Sequence, residues 1–376
     1  MTAIVLCLNR DSVHRLLHNN VKVKYAIRER KSNLLFLLFM LWRVWNYCLY
    51  FHAHDDNIRI CIALDNVLKK WGLRMYFYKI YGKKVFSELE FPQLVSIDPL
   101  PMEEADIIVQ SGTISEEIKN QENEKKYSFG EKISWLINRT TWFVVEEGRY
   151  ITYELRPGGN IGYLRTYLLG YGLSMLHMQR GEMAIHCSAV SFNGEAILIA
   201  GESGSGKSTV TTRFLDEGYS LMADDVALVK MESGRAIAYP AFPYQKLCRD
   251  AAVQKGYDLN ELIYIDEQKD KFMVPFSGDF SLEGKPIKMM LCLVAGEQIK
   301  EPYMKEITGI DKFHFCVNNL FLRKLLREQR YGMLTGPKCL EIASAMPMYV
   351  VGRPLQGDTE DVIWQKISVA VNGKMV

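Results

Sequence analysis

The segment Gly201-Glu202-Ser203-Gly204-Ser205-Gly206-Lys207-Ser208 constrains this chain more than any other, because it fits G-x-x-x-x-G-K-[ST] in full. Glycines at these positions let a backbone wrap closely around phosphate oxygens and turn its N–H groups inward. A helix that follows adds its positive N-terminus. Lys207 can then bridge the outer phosphates, and the Ser208 hydroxyl can ligate Mg²⁺. With Thr209 added, Gly201, Glu202, Ser203, Gly204, Ser205, Gly206, Lys207, Ser208 and Thr209 form the candidate nucleotide-binding set. The flanks agree. EAILIAG (195–201) reads as a buried strand, Lys207 to about Glu217 as a helix, and Gly218 suits the left-handed position past a helix end.

Two further features narrow the chemistry. Asp224-Asp225 follows Ser208 by 16 residues (224 − 208) at the end of a short predicted strand. One carboxylate there can hold Mg²⁺ through water, and the other is then free to act as a base on an attacking hydroxyl. His186 lies in AIHCSAVSF (184–192), a β-rich run that leads through Asn193-Gly194, a type I′ hairpin signal, into the strand before the loop. A GTPase would call for an [NT]KxD element and a transporter motor for an LSGGQ-like run, and the sequence has neither.

Charge is divided along the chain. Residues 1–74 carry 12 Lys+Arg against 5 Asp+Glu, or +7, and the remainder carries 34 against 39, or −5. The basic front end reads as helical, and 33–51 (NLLFLLFMLWRVWNYCLYF) is long enough to cross a bilayer. Arg43 sits in its middle, so a buried or interfacial helix is expected ahead of a true span. Three origins compete for 1–74: a start codon placed too early, a fused remnant, or a docking or membrane-proximal arm. His52 and His54 lack a distant partner ligand for a metal site. Eight cysteines without a CxxC pair argue for free thiols in a reducing cytosol, so the expected location is cytoplasmic. The net charge of +2 gives no reason to expect a nucleic acid partner.

From Met75 the pattern turns to strands: a strand-turn-strand at 75–94, then 105–110, 141–147 and 149–155. Helical periodicity occupies Tyr163–Gln179. Beyond the loop, strands are expected at 219–231, Ile237–Tyr239 and Met289–Ala295, and helices at Phe321–Arg330 and Asp361–Val371.

Taken together, His186-Cys-Ser-Ala-Val, the loop at 201–209 and Gly218-Tyr-Ser-Leu-Met-Ala-Asp224-Asp225 resemble the catalytic domain of HPr kinase/phosphorylase, whose core phosphoenolpyruvate carboxykinases share. The later run Tyr239-Pro-Ala-Phe-Pro-Tyr-Gln-Lys246-Leu-Cys-Arg249-Asp, with Met75-Tyr-Phe-Tyr-Lys-Ile-Tyr-Gly near the front, is similar to the HPr-kinase-like enzymes of lasso-peptide biosynthesis. The resemblance covers about residues 75–376 and is strongest at 184–272. It implies an α/β fold, a P-loop mixed sheet with flanking helices and a smaller β-rich N-terminal part. The expected division is 1–74 (helical extension), 75–180 (β-rich accessory region) and 181–376 (catalytic domain). It also implies an ATP- and Mg²⁺-dependent serine kinase acting on the C-terminal serine of a precursor peptide. HPr or a small molecule is the alternative acceptor, and a non-transferring ATPase or switch the alternative class. Homo-oligomers are common among such kinases. The site residues implied are Asp224 as base, with His186, Lys207, Lys246 and Arg249 around the transferred phosphate. Ser208 and Asp225 stand on the metal side. Lys271 and Arg353 are more remote candidate cations.

Overall fold

Aromatic and β-branched residues favour the first strands, YFYKI and KKVFS, and the hairpin turn between them carries two residues with positive φ, Tyr81 (+53°) and Gly82 (+70°). A computed structural model describes residues 75–123, 126–266, 270–323 and 332–373. The expected helical extension at 1–74, the apolar run 33–51, His52 and His54 lie outside the described residues. Met75–Val376 forms one compact unit.

Its front half is an eight-stranded sheet: β1 (Tyr76–Ile80), β2 (Lys83–Ser87), β3 (Val95–Ser96), β4 (Ile107–Ser111), β5 (Tyr127–Ser128), β6 (Ile133–Ile137), β7 (Thr141–Glu146) and β8 (Tyr150–Leu155). The order is β3-β1-β2-β4-β8-β7-β6-β5, parallel only at β2–β4 and β4–β8. The run expected to be one helix over Tyr163–Gln179 is instead Ile161–Tyr167, a π-helical turn at Leu168–Gly172 and a second helix, Leu173–Gln179.

The second sheet carries the loop. Its strands are β9 (Met183–Ile185), β10 (Cys187–Phe192), β11 (Glu195–Gly201), β12 (Ser220–Asp224), β13 (Ala227–Glu232) and β14 (Arg235–Tyr239). A small three-stranded sheet interrupts the series with β15 (Tyr244–Cys248), β16 (Ile263–Asp266) and β17 (Lys271–Pro275), and β18 (Lys285–Ala295), β19 (Tyr303–Glu306) and β20 (Met348–Arg353) then complete the large sheet. The order runs β12-β10-β11-β18-β14-β13-β9, with β20 beside β18 and β19 beyond it. β11, β18 and β20 are mutually parallel neighbours, whereas β10 returns antiparallel through Asn193 (φ +50°) and Gly194 (φ +80°). The fold is therefore a mixed α/β one.

Both sheets feed one buried cluster that includes Ile80, Val145, Leu176, Leu198 and Met290. On the other side of β11, a second cluster seats the helix Lys207–Asp216. Val210 and Phe214, four residues apart, face Ile199 and Leu291, and Ile363 and Ile367 of the helix Glu360–Val371 close the layer. Burying a side chain such as Phe214 is worth roughly 1.5–3 kcal/mol. The helix that presents the loop is thus anchored from two sides.

The run 184–192 is not one strand. It breaks at His186, so that β9 pairs with β13 while β10 pairs with β11 and β12. The strand run opposite it breaks at the matching place, between Asp224 at the end of β12 and Ala227 at the start of β13. Two broken strands thus lie side by side, and His186 and Asp225 occupy the gap. Among the described residues no helix is long and apolar enough to cross a membrane.

Candidate functional site

β11 is buried from Ala196 through Ala200 and delivers Gly201 to the edge of the core. Gly201 has φ +146°, and a Cβ there would collide with the Leu293 carbonyl and come within 2.7 Å of the Ser205 hydroxyl. Only glycine turns the chain at that point. Gly206, at φ +106°, then opens the helix. Inside the loop, the Ser205 hydroxyl donates to the Glu202 carbonyl (2.8 Å), and the Lys207 ammonium donates to the carbonyls of Gly201 (2.5 Å) and Glu202 (3.0 Å). Glu202, Ser203, Gly204, Ser208 and Thr209 are exposed.

A second cation braces the loop from outside. Arg353, the last residue of β20, donates from Nε to the Ser205 carbonyl (3.1 Å) and from Nη2 to the Gly204 carbonyl (2.7 Å). Arg353 stands among the more remote candidate cations in the sequence, because its place at the loop depends on β20 lying beside β18. Beside it opens a cleft of about 230 Å³ lined by Thr209, Arg213, Leu293, Arg353, Thr359 and Trp364, among others.

The carboxylate pair sits on the other side. Asp224 Oδ1 accepts from the Ser188 hydroxyl (2.6 Å) and Oδ2 accepts from the Lys246 backbone N–H (2.7 Å). Burial pushes the Asp224 carboxyl above its ordinary range, and these two hydrogen bonds offset only part of that. Asp225 behaves in the opposite way. Burial also opposes its ionisation, but Lys246, His186 and Lys271 outweigh it and hold the carboxyl below the usual range. The Lys246 ammonium lies 2.6 Å from Asp225 Oδ2, and His186 Nδ1 lies 3.7 Å from Oδ1. Adjacent carboxyls whose environments drive them apart in this way divide naturally into a proton acceptor and a permanent anion.

The register ties the pair to the loop. Cys187 stands opposite Ala200 and Ser188 opposite Ile199, so His186 falls beside the start of the loop. The buried Cys187 thiol, pushed up to about 12 by burial, lies within the electrostatic reach of both Lys207 and Asp225. His186, Asp224, Asp225 and Lys246 therefore meet, and Cys187, next to His186, feels the Lys207 charge. Arg249 does not join them: it follows the end of β15 and pairs with Asp270 at 2.6 and 2.9 Å, with its guanidinium over the Phe272 ring. Ser188 was missed by sequence reasoning, and no local signal marks it.

Among the described residues no group of three or more His, Cys, Asp or Glu could by itself hold a metal ion. A magnesium ion delivered with a nucleotide needs only one or two protein oxygens. The exposed Ser208 hydroxyl and the ionised, 26% exposed Asp225 carboxylate can each supply one.

Over 115 residues the chain is 30% identical to putative HPr kinase/phosphorylase 2 of Oceanobacillus iheyensis. That sequence similarity supports an HPr kinase-like family. The matched stretch is 30% of this chain and 30% of the relative. Among solved structures, the Hpr(Ser) kinase/phosphatase from Coxiella burnetii aligns over 50% of this chain and 97% of its own, at 14% identity and a TM-score of 0.28. No family model matches the chain.

Proposed function

We propose that the chain is an ATP-dependent kinase that phosphorylates a serine hydroxyl, and that the acceptor is the C-terminal serine of a ribosomally made precursor peptide. The observation that carries the kinase reading is the carboxyl pair beside the loop: Asp224 accepts from the Ser188 hydroxyl and the Lys246 N–H, while Asp225 pairs with the Lys246 ammonium. A nucleotide switch needs only one carboxylate on the metal side, whereas transfer to an alcohol also needs a base. In this reading the triphosphate lies along 201–209 and the nucleoside end reaches the cleft that Thr209, Arg213 and Trp364 help to line. Asp224 takes the hydroxyl proton as the new O–P bond forms and the bond from the γ-phosphorus to the bridging oxygen breaks, releasing ADP. Lys207 and Lys246 neutralise charge on the transferred group, with His186 close by. Ser208 and Asp225 would hold a Mg²⁺ ion delivered with the nucleotide, which would supply further charge neutralisation.

The acceptor is open to a direct test with radiolabelled ATP and three candidates: a synthetic peptide ending in serine, purified HPr, and water alone. Label on the peptide is the expected result. Label on HPr, the substrate in the name of the Oceanobacillus relative, would move the acceptor to that protein and keep the kinase reading. Free phosphate as the sole product would sink transfer altogether.

Arg353 gives a second test. Arg353→Ala removes two charge-assisted donors from the loop carbonyls. ATP affinity is expected to fall about tenfold, the equivalent of one such hydrogen bond. Isothermal titration with ATP and with inorganic triphosphate reads this, and both should weaken alike. Unchanged affinity would remove Arg353 from the loop's support.

A further inference from the structure

Asp225 has φ +120°. For a non-glycine residue that conformation is strained and persists only where the surroundings hold it. The holding groups can be named. On one side the Asp225 N–H donates to the Cys187 carbonyl (3.3 Å). On the other, the carbonyl of Val226 accepts from the phenol of Tyr81 (3.2 Å). Tyr81 comes from the first sheet, 145 residues away in sequence, yet it is 3% exposed and lies within electrostatic reach of Asp225.

Tyr81 is itself fixed on every side. Its own φ is +53°, and its N–H donates to the Pro240 carbonyl (2.9 Å). Its ring meets the buried His177 ring edge-on, with centroids 5.1 Å apart. His177 Nδ1 is 2.6 Å from Glu182, and Lys83, two residues beyond Tyr81, lies 3.7 Å from the same carboxylate. Burial holds the phenol far above its ordinary range, so Tyr81 stays protonated and remains a donor. A rotation of this side chain would leave a buried hydroxyl unpaired, so the phenol stays on the Val226 carbonyl.

We propose that Tyr81 is a positioning residue for Asp225: by pinning the Val226 carbonyl it fixes the chain one residue beyond the strained Asp225, and so helps to aim the Asp225 carboxylate at His186 and Lys246. The 75–180 region is then part of the catalytic apparatus, acting through the main chain. This assignment rests on the kinase reading for its kinetic consequence but not for its structural one.

The test compares Tyr81→Phe, Asp225→Asn and the double variant. Tyr81→Phe keeps the ring against His177 and removes only the donor. Its kcat is expected to fall about tenfold, as for one lost buried hydrogen bond. The double variant should be no slower than Asp225→Asn alone, because both changes act through one carboxylate. 4-Aminophenylalanine at position 81, which restores a donor, should recover most of the rate. The Cε1–H resonance of His186 supplies a readout that needs no turnover: in Tyr81→Phe it should move toward its position in Asp225→Asn. An unshifted resonance, or strictly additive rates, overturns the assignment. A wild-type protein that transfers nothing overturns the kinase reading, and the resonance then decides the role of Tyr81 alone.

Discussion

Asp224→Asn is expected to lower phosphoryl transfer by roughly 10²–10⁴-fold, the range for loss of a general base, while raising the melting temperature at neutral pH. The two effects share one cause. Burial lifts the Asp224 carboxyl above its unfolded value, so between the two values the folded chain binds more protons than the unfolded one. Stability therefore declines as pH rises through that window, and above it the full cost of the buried charge is present. Asparagine removes that charge and can keep both contacts. Its carbonyl accepts from the Lys246 N–H, and its amide donates to Ser188, whose hydroxyl can turn to accept. Thermal unfolding should show a gain of a few degrees that shrinks as pH falls through the raised value. Asp225→Asn should do the reverse: its carboxyl is held low, so it contributes stability above its unfolded value and loses it as pH falls through the folded one. Substantial transfer by purified Asp224→Asn would refute the base role, and a lower melting temperature at neutral pH would refute the desolvation account.

How much of this site could be read beforehand depended on how local each signal is. The loop was legible because a phosphate cradle is built from consecutive backbone, and its glycines mark it directly. The hairpin at Asn193-Gly194 and the helix stop at Gly218 were legible for the same reason, with both residues of the hairpin and Gly218 at positive φ. The break at His186 was not, because apolar residues continue through 184–192 and nothing in the pattern says that β9 and β10 have different partners. Ser188 was invisible because its hydrogen bond to Asp224, 36 residues on, exists only in the register of β10 against β12.

Lys246 and Arg249 show the same limit within one motif. Both stood as even candidates in Gln245–Asp250, yet the strand aims Lys246 at Asp225 while Arg249, beyond the strand end, is taken by Asp270. The small sheet that decides this is made of strands of four and five residues, too short for alternation to declare itself. The π-helical turn at Leu168–Gly172 likewise leaves helical periodicity almost intact. What could be read was the chemistry of each residue. What could not was which distant neighbour it meets.

Lys207→Ala is the change expected to cost most in ATP binding and transfer together. The side chain has two roles that this substitution removes at once. Its ammonium cross-braces the carbonyls of Gly201 and Glu202, which keeps the first turn of the loop closed. In the proposed reaction it also serves as the point charge beside the outer phosphates. One charge-assisted contact is worth about 1.5–3 kcal/mol, so ATP affinity should fall on the order of 10–100-fold, and transfer by a further factor of about 10²–10³. The two roles separate by ligand and by substitution. AMP has no outer phosphates, so its affinity should hardly change if the loop stays shaped, and should fall with that of ATP if the brace is what matters. Lys207→Arg keeps the charge but spreads it over a planar fork, so it should retain loop closure and recover only part of the rate. Isothermal titration with ATP and AMP, alongside single-turnover transfer, reads all of these. If Lys207→Ala binds ATP as tightly as the wild type, the triphosphate does not lie along 201–209, and the base at Asp224 must then serve some other chemistry.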